Sequence, residues 1–160
     1  MTKLCWGLIG GGEGSQVGFA HRAAAQLDGR FSFVAGALDV DPDSARQFGV
    51  SLGLEDARSY GSWQDMLVTE KKVKGEERLG LVTIATPNST HFEITKAFLE
   101  AGFNVLCEKP LTMTVEEARE LVLIANSSNR ICAVNYGYTG YPLVRQMRSM
   151  VLGGDLGEIR

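Results

Sequence analysis

Residues Leu4 to Gly18 read Leu-Cys-Trp-Gly-Leu-Ile-Gly-Gly-Gly-Glu-Gly-Ser-Gln-Val-Gly, and no other stretch constrains the chain as strongly. Leu4, Trp6, Leu8 and Ile9 form an apolar run of strand length. Gly10 to Gly12 then remove side chains where the backbone must turn sharply and let a ligand approach it. A helix is predicted from Val17 to Leu27, closed by Gly29. The first N–H groups of such a helix have no partner within it and carry the positive end of its dipole, so the turn suits a pyrophosphate. Gly10 and Gly12 match the first two positions of the dinucleotide fingerprint. Ser15 stands where the third glycine belongs, and the longer loop through Glu13 and Gly14 passes that role to Gly18 on the first helical turn. A merely flexible turn has the same glycines, so the rest of the chain must decide.

With 160 residues and 44% hydrophobic content, the chain has material for one domain with a real core. Its net charge of −3 gives no attraction to nucleic acid or an anionic membrane, and neither partner is expected. The N-terminus has no basic start and continuous apolar stretch, and no run is long enough to span a bilayer, so a cytoplasmic protein is expected. Cys5, Cys107 and Cys132 are odd in number and fall in apolar strand-like runs, as reduced core thiols do. With His21 and His91 the only histidines and no clustered ligands, no metal site is expected.

Taken in order, Phe31 to Asp39 is a second apolar run ending in a carboxylate. Asp41-Pro42 opens a helix ending near Gly49. Arg58-Ser59-Tyr60 is a candidate third strand, and Ser62 with Asp65 caps a helix reaching about Val68. Lys71 to Gly80 is charged and reads as a solvated loop. Leu81 to Ala85 is a buried strand running into Thr86-Pro87-Asn88. Thr90 with Glu93 predicts a capping box for a helix from His91 to Ala101, ended by Gly102. Asn104 to Cys107 is a strand emptying into Glu108-Lys109-Pro110. Thr114 with Glu117 repeats the box for a helix to about Ala125, and Ile131 to Val134 is the last strand before Asn135-Tyr136. This alternation predicts an α/β, doubly wound parallel sheet of the Rossmann type, with right-handed crossovers and order 3-2-1-4-5-6.

Ligands of such sheets bind beyond the carboxyl ends of the strands, where this chain gathers its polar residues. The pieces Gly-Gly-Gly-Glu-Gly-Ser-Gln-Val-Gly, Ala-Thr-Pro-Asn-Ser-Thr-His, Cys-Glu-Lys-Pro-Leu-Thr and Asn-Tyr-Gly-Tyr-Thr-Gly-Tyr-Pro, in that order, resemble the glucose-fructose oxidoreductase / inositol dehydrogenase (Gfo/Idh/MocA) family. The resemblance implies NAD-dependent hydride transfer involving a sugar, inositol or similar polyol. It assigns the cofactor pyrophosphate to Gly10, Gly12, Ser15, Gln16 and Val17, and the adenosine ribose to Asp39. Thr86, Pro87, Asn88 and His91 go to the middle and nicotinamide end, Glu108 to the nicotinamide ribose, and Lys109 to the substrate as the catalytic residue. Plainer roles compete: a turn carboxylate for Asp39, a first-turn helix residue for His91, a surface lysine for Lys109, and packing for Tyr138 and Tyr141.

Asp39 lies 21 residues after Gly18, where a carboxylate favours NAD over NADP. The resemblance also divides the chain into a dinucleotide-binding domain, residues 1–140, and a connecting helix, residues 141–160, leading to a second α/β domain that the chain does not include. The family's proton-transferring aspartate and histidine belong to that domain. Leu143, Val144, Met147, Met150 and Val151 spread apolar surface around the connecting helix, as in a homo-oligomer. Two other classes use part of the pattern. A methyltransferase binding S-adenosylmethionine shares the glycine turn and the acidic strand end but gives no reason for Glu108-Lys109-Pro110. A non-catalytic NAD-binding regulator shares the turn and Asp39.

Overall fold

A computed structural model describes residues 3–27 and 29–158. Ile159 and Arg160, the end of the expected connecting segment, lie outside the described residues. Strands β1 (Leu4–Gly10), β2 (Phe31–Ala37), β3 (Leu81–Ala85), β4 (Val105–Glu108) and β5 (Cys132–Asn135) form one parallel sheet in the order β2-β1-β3-β4-β5. Helices α1 (Gln16–Leu27), α2 (Pro42–Ser51), α3 (Trp63–Glu70), α4 (His91–Glu100) and α5 (Val115–Ser128) lie between the strands in sequence, and α6 (Pro142–Gly153) follows. This is a Rossmann-like α/β fold.

The period-2 pattern of the strands sorts the side chains onto two faces. Ile9, Val82, Ile84, Val105 and Cys107 join Ile94, Phe98 and Leu99 of α4 and Leu121 of α5 in the larger core. Trp6, Leu8 and Leu38 pack on the other side with Ala25 of α1 and Phe48 of α2. Thr83, the one polar residue inside β3, accepts a 2.8 Å hydrogen bond from the Trp6 indole. At the opposite end of the sheet the fully buried Glu70 carboxylate accepts two bonds from the Arg58 guanidinium, at 2.9 and 2.6 Å, and one from the Tyr60 hydroxyl at 2.8 Å.

The expected third strand is reduced to one residue. Asp56–Arg58 is a turn of 3₁₀ helix, and only Ser59 bridges Gly36 on the outer side of β2. Arg58 is drawn to Glu70 instead of extending along the sheet. Asp41, Ser62 and Thr114 cap α2, α3 and α5 as predicted, the last with Glu117 in a complete capping box. Thr90 makes no such cap. A 3₁₀ turn over Asn88–Thr90 feeds directly into α4, and the Thr90 hydroxyl turns back to Thr86 Oγ1 and the Pro87 carbonyl. All three cysteines are free; Cys107 is buried, and Cys5 and Cys132 pack against the core. No described residue of α6 is buried, and Leu143, Met147 and Leu152 are exposed.

Candidate functional site

The turn after β1 is built by close backbone contact. Gly10 and Gly11 adopt positive φ, 75° and 69°, the left-handed region that favours glycine. A Cβ on Gly18 would lie 2.5 Å from Gly11 Cα, and one on Gly11 would lie 2.7 Å from Gly18 Cα, so these two glycines seat α1 against the turn. A Cβ on Gly12 would meet the Leu38 carbonyl oxygen at 2.6 Å and Asp39 Oδ2 at 3.0 Å. The turn therefore lies against the end of β2 and beside its carboxylate.

The start of α1 has an incomplete set of hydrogen bonds. The Ser15 N–H donates to the Gly12 carbonyl at 3.1 Å, and the Ser15 hydroxyl accepts from the Gly18 N–H at 3.1 Å. That leaves the N–H groups of Gln16 and Val17 as the first-turn donors without an intrahelical partner, at the positive end of the helix. An anion is the natural acceptor there. Arg22 Nη1 donates to the Gly11 carbonyl at 2.8 Å and braces the turn from one helical turn further on.

Two cavities open at the carboxyl ends of the strands. One, of about 470 Å³, lies between Gly10, Gly11, Leu38, Asp39, Trp63 and Thr86. The other, of about 540 Å³, is lined by Ser15, Val17, Asn88, His91, Glu108, Lys109, Asn135 and Tyr138, among others. Ala85, Thr86 and Pro87 line both, so the cavities adjoin over the end of β3. Asp39 stands in the first, exposed, with Oδ1 accepting the Asp41 N–H at 3.0 Å. Lys109 stands in the second, exposed at the end of β4.

Glu108 is the most constrained residue of the second cavity. Its Oε1 lies 2.9 Å from His21 Nε2 and accepts from Asn135 Nδ2 at 2.6 Å, and its Oε2 accepts the Lys109 N–H at 3.2 Å. Burial by itself raises the carboxyl pKa, but the bonds from Asn135, His21 and the Lys109 N–H outweigh it and hold Glu108 below the usual carboxylate range. His91 is fully buried, with Nδ1 2.7 Å from the Pro110 carbonyl oxygen and Nε2 2.9 Å from that of Thr86. Both ring nitrogens are thereby turned to main chain. His91 joins the loops after β3 and β4 and also lines the second cavity.

Of the residues read from the sequence, Gly10 and Asp39 line the first cavity, Ser15, Val17, Asn88, His91, Glu108 and Lys109 the second, and Thr86 and Pro87 both, while Gly12 and Gln16 line neither. Gly11, His21 and Arg22 were not among the residues so read. His21 lies three residues after Gly18 and so on the helix face turned toward the sheet, a spacing that marks it as inward-facing. Nothing local marks Glu108 as its partner. Among the described residues no group of three or more His, Cys, Asp or Glu is placed to hold a metal ion, and no helix is long and apolar enough to cross a membrane.

Residues 4–136 match the family model described as "Oxidoreductase family, NAD-binding Rossmann fold". The chain belongs to the Gfo/Idh/MocA oxidoreductase family. It is 44% identical over 158 residues to an uncharacterized oxidoreductase, YfiI, of Bacillus subtilis, covering 98% of this chain and 40% of the relative. It is 33% identical over 159 residues to the levoglucosan dehydrogenase of Pseudarthrobacter phenanthrenivorans, covering 99% of this chain and 40% of that protein. The crystal structure of an inositol dehydrogenase homolog from Azotobacter vinelandii, complexed with NADH and myo-inositol, superposes with a TM-score of 0.94 at 46% identity. That match covers 99% of this chain and 41% of the other. The chain therefore spans about two fifths of the length of these relatives. Membership of this family replaces the methyltransferase alternative.

Proposed function

We propose that this chain is the cofactor-binding part of an NAD-dependent oxidoreductase acting on a hydroxyl group of a sugar, inositol or similar polyol. The observation that carries the reading is the pair of adjoining cavities, with a carboxylate and a glycine turn in one and a lysine in the other. The glycine turn, the Ser15 cap and the free N–H groups of Gln16 and Val17 suit the pyrophosphate. Asp39 accepts hydrogen bonds from ribose hydroxyls and repels a 2′-phosphate, which favours NAD over NADP. Thr86, Pro87 and Asn88 line the passage toward the second cavity, and Glu108 serves the nicotinamide ribose. When bound, the dinucleotide supplies a hydride acceptor. Lys109 brings a compact ammonium to the reacting hydroxyl and stabilises the negative charge that develops on its oxygen.

Proton transfer falls to residues outside this chain, as the family resemblance implies. Self-association through the exposed apolar side chains of α6 belongs to the same reading, with particle mass in solution as its check. The main test is calorimetric titration of this chain with NAD and NADP, alongside assay of NAD reduction with inositol and a panel of sugars. NAD is expected to bind more tightly than NADP, with no reduction by this chain alone. Tighter NADP binding would overturn the role of Asp39, and absence of binding by either would overturn the reading as a whole. In the longer protein, Lys109→Met should leave NAD affinity nearly unchanged and lower turnover by orders of magnitude. Near-normal turnover would return Lys109 to the surface.

A further inference from the structure

We infer that His21 is a positioning residue: from the inner face of α1 it holds the Glu108 carboxylate so that one acceptor position on Oε2 is left for a hydroxyl of the nicotinamide ribose. This role rests on the cofactor reading above and adds to it a residue that the sequence pattern did not mark.

An ionised carboxylate offers about four lone-pair positions and no donor. Two on Oε1 are taken, one by His21 Nε2 at 2.9 Å and one by Asn135 Nδ2 at 2.6 Å. One on Oε2 is taken by the Lys109 N–H at 3.2 Å. Because a carboxylate only accepts, His21 carries its proton on Nε2 in this contact. The remaining position is what Glu108 can offer to the cavity it lines. The pair is largely shielded from water, the two side chains being 10% and 13% exposed. In such a setting a fixed charge-assisted bond restrains rotation of the carboxylate more than the same bond does at the surface.

The three donors come from three places in the fold. Asn135 closes β5, the Lys109 N–H follows β4, and His21 rises from the helix whose first turn faces the pyrophosphate. Without His21, the carboxylate keeps only the Asn135 amide on Oε1 and the Lys109 N–H on Oε2, and is held less firmly against turning about its last bond. Among the described residues, Asp39 bonds to the Asp41 N–H and not to any member of this network. The effect of His21 should therefore appear with a ligand that carries the second ribose and be absent with one that lacks it.

ADP ends at the pyrophosphate, whereas NADH continues through the second ribose to nicotinamide, so the ratio of their affinities isolates the second cavity. Both ligands are titrated calorimetrically into the wild-type chain, His21→Leu and His21→Gln. The leucine variant should lose about tenfold in NADH affinity, as for a lost hydrogen bond to a charged group, with ADP affinity unchanged. The glutamine variant, whose amide can donate from about the same place, should recover most of it. An unchanged ratio in His21→Leu overturns the proposal, as does a glutamine variant that falls as far as leucine, which would assign His21 to packing. If His21→Leu fails to hold ADP, Asn135→Ala tests the same carboxylate and must lower the NADH-to-ADP ratio; an unchanged ratio there refutes the inference. A wild-type chain that binds neither ligand refutes the cofactor reading itself.

Discussion

Gly18→Ala sets two effects of opposite sign against each other. Gly18 lies inside α1, and replacing a helical glycine by alanine ordinarily stabilises by about 1 kcal/mol. Here the added Cβ would lie 2.5 Å from Gly11 Cα and 2.6 Å from its carbonyl carbon, and closer still to its oxygen. Ordinary contact begins at 3.4 Å, so α1 and the turn must part by about 1 Å, against main chain that has no rotamer to yield. Overpacking of this kind costs about 1–3 kcal/mol, and rigid backbone partners place the cost near the upper end. The net loss is then about 2 kcal/mol, or roughly 4–8 °C in Tm for a domain of this size. The shift also moves the N–H groups of Gln16 and Val17, so NAD affinity should fall with it. Thermal unfolding followed by circular dichroism and NAD calorimetry read the two effects. Gly14→Ala is the control: no atom lies within 4 Å of its Cβ, and its φ of 74° leaves only the left-handed strain of about 1–2 kcal/mol. A Gly18→Ala protein as stable as wild type, with unchanged NAD affinity, would refute the close-packing argument.

Arg58→Met leaves the fully buried Glu70 carboxylate with only the Tyr60 hydroxyl, and chemical denaturation should show a loss of about 3–5 kcal/mol. Glu108 is held below the usual carboxylate range, so its contribution to stability is present at neutral pH and is lost as pH falls through its lowered folded-state pKa. The Tm difference between wild type and Glu108→Gln should accordingly shrink below roughly pH 4; a difference that widens on acidification would contradict that sign. Burial pushes the Cys107 thiol up to about 12, and the side chain is fully buried. Iodoacetamide should leave it unmodified in the native protein and label it after denaturation, as mass spectrometry of the peptides would show.

Features carried by neighbouring residues were legible in the sequence. Thr114 and Glu117 cap α5 because the box needs only residues three apart, and Asp41 and Ser62 succeed for the same reason. Thr90 and Glu93 have the same spacing and fail because Thr86 and Pro87 compete for the threonine hydroxyl. The strand expected at Arg58–Tyr60 shrank because Glu70, twelve residues on, claims the arginine. The candidate site shows the same division. The glycine turn, Asp39 and the ends of β3 and β4 could be read off because the rim of a parallel sheet is implied by strand order. His21 could not, because its partner lies 87 residues away and no local pattern names it.

The place of β1 also bears on how the chain comes to its fold. Gly7 pairs with Ala35 on one side and with Val82 on the other, so the second partner of this interior strand is made long after the first. Until Leu81–Ala85 has left the ribosome, β1 presents an open edge of unpaired backbone groups and Ile9 lacks its α4 cover, and only the β1–β2 ribbon with its helices can condense. Closing the β1–β3 pairing carries the longest loop of the sheet and so sets the pace of folding. Once it closes, β4 and β5 each add to an edge that already exists, across shorter connections. A nascent chain halted before Leu81 is therefore left with the strand edge most prone to pair with a second molecule.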